Sequence, residues 1–127
     1  MTRALRTYAR LYVQDLDVTL AALAPIVGQP VSVGFEHPTA GLRLAGLGGL
    51  LLVAGPPERL AAVRDTQATV IVDDLDGLLA DLQQTGAQVL RGPTPVPTGR
   101  NVTVRHPGDA IIEYVEWSQE MRHQQGL

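Results

Sequence analysis

The sequence contains one eleven-residue segment twice, 59 positions apart. Val13-Gln14-Asp15-Leu16-Asp17-Val18-Thr19-Leu20-Ala21-Ala22-Leu23 aligns without a gap on Val72-Asp73-Asp74-Leu75-Asp76-Gly77-Leu78-Leu79-Ala80-Asp81-Leu82, and seven of the eleven pairs are identical. Self-similarity at a fixed spacing marks one supersecondary unit used more than once, each copy unable to bury its apolar face alone. Two copies fill a chain of 127 residues, which is long enough for one shared core and too short for two independent ones. A single domain over residues 1–127 built from paired modules is expected, with any binding site between the modules.

Each copy changes period at the same place. Tyr8 to Val13 and Gln67 to Val72 alternate as strands do. After the Asp-Leu-Asp triplet, Leu16, Leu20 and Leu23, and likewise Leu75, Leu79 and Leu82, recur at helical spacing. Asp15 and Asp74 suit a helix start, where a short carboxylate accepts from unpaired backbone N–H groups. Pro25 and Gly28 are expected to end or bend the first helix, and Gly86 to close the second. Three further strands follow in each copy: 31–35, 41–45 and 49–54, then 88–90, 101–105 and 110–117. The order is βαβββ twice, with module 1 over 6–55, a connector over 56–66, module 2 over 67–117 and a polar, frayed tail over 118–127. Pro93 to Gly99 reads as a stiff connection, able to serve as a rim at the mouth of a pocket.

Composition narrows the function classes. The ten basic residues are all Arg, scattered from Arg3 to Arg122, and the net charge is −3; a nucleic-acid groove would need a concentrated basic face. There is no Cys, so disulfides, thiol catalysis and thiolate metal sites are excluded. The longest apolar run, Leu44 to Ala54, contains three Gly and is too short for a bilayer, which needs about 20 residues. No signal-peptide core follows the N-terminus. A cytoplasmic protein without nucleic-acid or membrane partners is expected.

A strand ending in Val-x-Asp-Leu-Asp, a short amphipathic helix, Gly86-Ala87-Gln88-Val89, and the turn from His106-Pro107-Gly108-Asp109 into Ile112-Glu113-Tyr114 resemble the vicinal oxygen chelate superfamily. That superfamily includes glyoxalase I, extradiol dioxygenases, fosfomycin-resistance enzymes and bleomycin-resistance proteins. The resemblance covers residues 6 to 117 and implies an α+β fold, two βαβββ modules forming an open curved mixed sheet. It also implies where metal ligands would stand: five residues before the Val of each Val-x-Asp motif, and on the last strand of each module. Those positions hold Tyr8, Gln67, a donor-free strand from Gly49 to Ala54, and Glu113. A divalent ion needs about three or four N or O donors, so no metal and no other cofactor is expected. His37, His106 and His123 read as surface residues.

Strand alternation puts Tyr8, Arg10 and Tyr12 on one face with Phe35, and Gln67, Thr69 and Ile71 on the matching face of the second module with Ile111, Glu113, Val115 and Trp117. Aromatic walls with a few directional polar groups suit a small-molecule pocket. The ligand-binding set is therefore Tyr8, Arg10, Tyr12, Phe35, Gln67, Glu113 and Trp117. The plainer alternative is a collapsed face in which Glu113 pairs with Arg10. The functional expectation is a metal-free binder of the bleomycin-resistance type that sequesters or carries an antibiotic-like or biosynthetic compound. The competing class is a lyase- or isomerase-type enzyme with Glu113 as base, or one with a divergent metal site. A homodimer is expected, because an open sheet leaves edges and an apolar face to cover.

Overall fold

The described residues, 2–127 of the computed structural model, form β1 (Ala4–Val13), α1 (Leu16–Val27), β2 (Val31–His37), β3 (Leu42–Leu47), β4 (Leu50–Ala54), α2 (Pro57–Ala61), β5 (Ala68–Val72), α3 (Leu75–Leu82), β6 (Gln88–Val96), β7 (Gly99–Arg105), β8 (Ile111–Trp117) and α4 (Gln119–Gln124). Met1, the first residue of the expected domain, lies outside them. The chain divides into two compact units, Tyr8–Asp65 and Thr66–Leu127, the latter with the residues up to Thr7.

The repeated triplets explain themselves at the start of α1 and α3. Asp15 Oδ1 accepts from Val18 N, and Asp74 Oδ1 accepts from Gly77 N, each at 3.0 Å. Leu16 and Leu75, the next residues, turn inward and are buried, while Asp17 and Asp76 stay exposed in the first turn, where the helix dipole favours a carboxylate. In the first unit, Leu16, Leu20, Leu23 and Val27 pack α1 against Leu11, Val13, Ala45, Leu47, Leu52 and Ala54. In the second, Leu75, Leu78, Leu79 and Leu82 pack α3 against Val70, Val72, Val102, Val104 and Tyr114.

Strand order repeats as well. The first unit runs β2-β3-β4-β1 and the second β5-β8-β7-β6. In both, the opening and closing strands are parallel neighbours, β1 with β4 and β5 with β8, and the other pairs are antiparallel. The expected α+β arrangement of two βαβββ modules is the one observed.

Several details differ from the sequence reading. Helix α1 runs through Pro25 and ends, as expected, at Gly28, which takes φ 72° and donates to Ala24 O at 2.9 Å. Helix α3 ends at Leu82, four residues before Gly86, and in the turn that follows the Leu82 carbonyl accepts from both Thr85 N at 3.1 Å and Thr85 Oγ1 at 2.9 Å. Pro93 to Val96 is strand, not connection: β6 pairs only with β7 in its unit, and on such an edge a proline without N–H removes no ladder bond. The connector contains α2, with Pro57 in the first turn, where its missing N–H has no intrahelical acceptor anyway. The tail is not frayed. Ser118 Oγ accepts from Met121 N at 3.1 Å to open α4, and Arg6 Nη1 donates to Gln125 Oε1 at 2.9 Å.

His106 is not a surface residue either. It is half-buried, its Nε2 lies 2.7 Å from the Tyr114 hydroxyl, and the two rings meet edge to face. Burial pushes the Tyr114 hydroxyl above its usual value of 10.0. The folded protein therefore holds that proton more tightly than the unfolded chain does. This contribution to stability is fully present below about pH 10 and is lost as pH rises through the higher folded-state value. An ultraviolet tyrosinate titration should show that Tyr114→Phe removes a component ionising above the ordinary tyrosine range. Removal of a component at or below pH 10 would contradict this.

Candidate ligand site

In the first unit, alternation along β1 places Tyr8, Arg10 and Tyr12 on the face opposite α1, because Leu11 and Val13 pack under that helix. Gly46 of β3 makes room there. A Cβ at that position would meet Tyr8 Cε1 at 3.3 Å and Val33 Cβ at 3.5 Å. Phe35 stands two residues beyond Val33, on the same side of β2 and opposite Leu44. Much of the remaining face is aliphatic and buried: Leu44, Leu51 and Val53.

Three buried polar atoms of this unit lack a hydrogen-bond partner, and one of them is Nδ1 of His37, a half-buried residue two positions beyond Phe35 on β2 and not the surface residue expected. Tyr8 is 2% exposed and its hydroxyl has no hydrogen-bond partner; the Arg10 Nε is also buried and unpartnered. A buried polar group left unpaired costs about 1–3 kcal/mol, and the great majority of such groups in folded proteins find a partner. The Arg10 guanidinium lies 5.5 Å from the centre of the Tyr12 ring, and that of Arg64 lies 5.7 Å from the same ring. Tyr12 Oη donates to Val63 O at 2.7 Å, which fixes the ring and ties down the residue before Arg64.

In the second unit, the register aligns Thr69, Glu113 and Thr103 across β5, β8 and β7. Thr69 Oγ1 donates to Glu113 Oε1 at 2.9 Å, and Asn101 Nδ2 donates to Glu113 Oε2 at 2.7 Å. Both carboxylate oxygens thus accept from neutral donors on the neighbouring strands. In the first unit the Arg10 guanidinium lies over the Tyr12 ring and forms no ion pair there. Gln67 does not join the Glu113 group. It is exposed, and its Oε1 accepts from Ile111 N at 3.0 Å at the entry to β5. Trp117 is buried, with the Arg6 guanidinium 5.7 Å from its ring centre. Sequence reasoning left out Arg64, Asn101 and Arg6. The first sits in the connector, where no periodicity assigns a face.

A groove of about 520 Å³ opens elsewhere in the first unit, at the N-terminal end of α1. It contains none of the expected site residues. Its charged groups are already engaged: Asp15 caps α1, and Arg43 pairs with Asp17 at 3.6 Å and Glu36 at 3.9 Å.

Comparison with known proteins identifies the architecture. No protein-family model and no curated protein matches the sequence. Among solved structures, an uncharacterised protein of Methanosarcina mazei is 45% identical, over 92% of this chain and 95% of that one, with a TM-score of 0.86. The two belong to one family. Methylmalonyl-CoA epimerase of Mycobacterium tuberculosis is 19% identical, covers 94% of this chain and 93% of that one, and superposes with a TM-score of 0.70. The Streptomyces coelicolor epimerase, in complex with 2-nitronate-propionyl-CoA, is 23% identical over 92% and 97%, with a TM-score of 0.69. The fold is that of the vicinal oxygen chelate superfamily.

The residues at the positions where the sequence resemblance implies metal ligands do not assemble a donor set for a divalent ion. Glu113 has both oxygens committed to Thr69 and Asn101, Gln67 spends its carbonyl on Ile111 N, and the last strand of the first module offers no donor. Among the described residues, no group of three or more His, Asp or Glu side chains is placed to hold a metal.

Proposed function

We propose that this protein is a metal-free small-molecule binder that holds a largely planar, partly polar compound of antibiotic-like or biosynthetic origin. The carrying observation is the state of Glu113. Its two oxygens are held by Thr69 and Asn101, so the one carboxylate at a ligand position serves a hydrogen-bonded polar group within its own sheet. Tyr8 and Arg10 add support, since each offers a buried polar atom without a protein partner. The enzymatic alternative draws on the fold shared with epimerases. A base at Glu113 would have to give up one of its two bonds before reaching a substrate proton.

The test is a titration of planar aromatic compounds, neutral and charged, followed by the fluorescence of Trp117, the only tryptophan. Saturable quenching or enhancement is expected. Turnover of a bound compound that is abolished by Glu113→Gln would favour the enzymatic reading instead. Elemental analysis of the purified protein is expected to find no stoichiometric divalent metal, and about one tightly held ion per chain would overturn the metal-free assignment.

We further propose a homodimer. The outer side of α1 leaves Val18 65% and Ile26 80% exposed, an apolar surface that a second copy would cover. Sedimentation should report a dimer, and a concentration-independent monomer at micromolar protein would contradict it.

A further inference from the structure

We propose that the ligand carries an oxyanion, a carboxylate or a phosphate, and that Arg10 and Arg64, both stacked on the Tyr12 ring, receive it. This inference rests on the small-molecule reading above and assigns that ligand its charge. Three observations from the first unit carry it.

The first is the pairing of two like charges on one ring. Both guanidiniums lie within 6 Å of the Tyr12 ring centre, and two cations sharing a neighbour repel one another unless an anion intervenes. The ring's negative face attracts each of them but carries no net charge to offset either.

The second is the distribution of acids. In this unit Arg43 pairs with Asp17 and Glu36, and Asp15 accepts from Val18 N at the start of α1. Neither Arg10 nor Arg64 forms an ion pair among the described residues. Guanidinium groups that lie over an aromatic ring and outside any ion pair present the planar donor fork that matches carboxylate and phosphate oxygens.

The third is the polar atoms left over on β1. The Arg10 Nε is buried without a partner, and Tyr8, two residues earlier on the same strand face and 2% exposed, has an unpartnered hydroxyl. One is a donor only and the other can donate, so both suit an oxygen acceptor. Tyr12, through its bond to Val63 O, holds the connector in place, which explains how a residue outside the repeated segment reaches the same ring.

Calorimetric titration of the full-length protein at low ionic strength, with benzoate, phenyl phosphate and the neutral benzamide as probes, tests the proposal. At least one of the two anions should bind about tenfold more tightly than benzamide, and which one binds better separates carboxylate from phosphate. Arg64→Met, at an exposed position, should weaken anion binding several-fold. Arg10→Met should weaken it by about tenfold or more, with Arg10→Lys intermediate because charge survives without the fork. Arg105→Met, on the exposed side of β7, should leave binding unchanged, and thermal melts of each variant separate lost binding from lost folding. Equal affinity for benzamide and the anions, or anion binding unaffected by Arg64→Met and Arg10→Lys, overturns the inference while leaving the small-molecule reading intact. No binding of any probe overturns both.

Discussion

Leu75→Ala is expected to destabilise the protein by about 2–5 kcal/mol, the range for emptying a fully buried leucine site. Leu75 has no exposed surface and sits among Val72, Leu82, Val102 and Val104, where the first turn of α3 meets its sheet. Its counterpart in the repeat, Leu16, is 6% exposed and packs the same way under α1, so Leu16→Ala should fall in the same range. Asp76, between the cap and the helix body, is exposed and pairs only with Arg100 at 3.3 Å, so Asp76→Ala should barely move the melting temperature. Thermal or urea unfolding of the three variants checks the contrast. Near-equal, small losses at Leu75 and Leu16 would mean that the repeated triplet does not anchor the helices.

This contrast also shows why the fold was legible in the chain. The triplet combines a capping carboxylate, an inward leucine and an outward carboxylate, and each is recognisable from local chemistry alone. The switch of period on either side of it assigned faces to β1 and β5 correctly: Leu11, Val13, Val70 and Val72 do pack under helices. What escaped the sequence was whatever depends on neighbours in space. The prolines of β6 look like a break until β6 is seen to be an edge strand. Ser118 is an ordinary serine until its hydroxyl is seen to accept from Met121 N.

The candidate site divides in the same manner. Alternation placed Tyr8, Arg10, Tyr12 and Glu113 on their faces, because a strand's parity is a property of its own sequence. It gave no sign of the bond that Gln67 makes at the strand entry, where its carbonyl accepts from the Ile111 N–H. It could not find Asn101, which meets Glu113 only through the β7–β8 register, nor Arg64, which reaches Tyr12 only because the Val63 carbonyl accepts from the Tyr12 hydroxyl.

Asn101→Ala is expected to have the second large effect, a loss of about 1.5–3 kcal/mol, because it removes a hydrogen bond to a charged and partly buried carboxylate. Thr69→Val removes the other donor while keeping the shape of the side chain and should cost a comparable amount. With Glu113→Gln in place, the loss from Asn101→Ala should shrink, since the amide side chain carries no charge to stabilise. The double-mutant cycle measures that coupling. A coupling near zero would mean that Asn101 and Glu113 do not act as a pair, and Glu113 would then lose its assigned role as a satisfied polar group.

The metal-free ligand site proposed above is open to a single decisive titration. Benzoate or phenyl phosphate, whichever binds, is titrated into the purified protein before and after exhaustive chelation of divalent ions. The same affinity is expected in both titrations, with no change when Zn²⁺, Mn²⁺ or Mg²⁺ is restored. Binding that disappears on chelation and returns with one of these ions would contradict it.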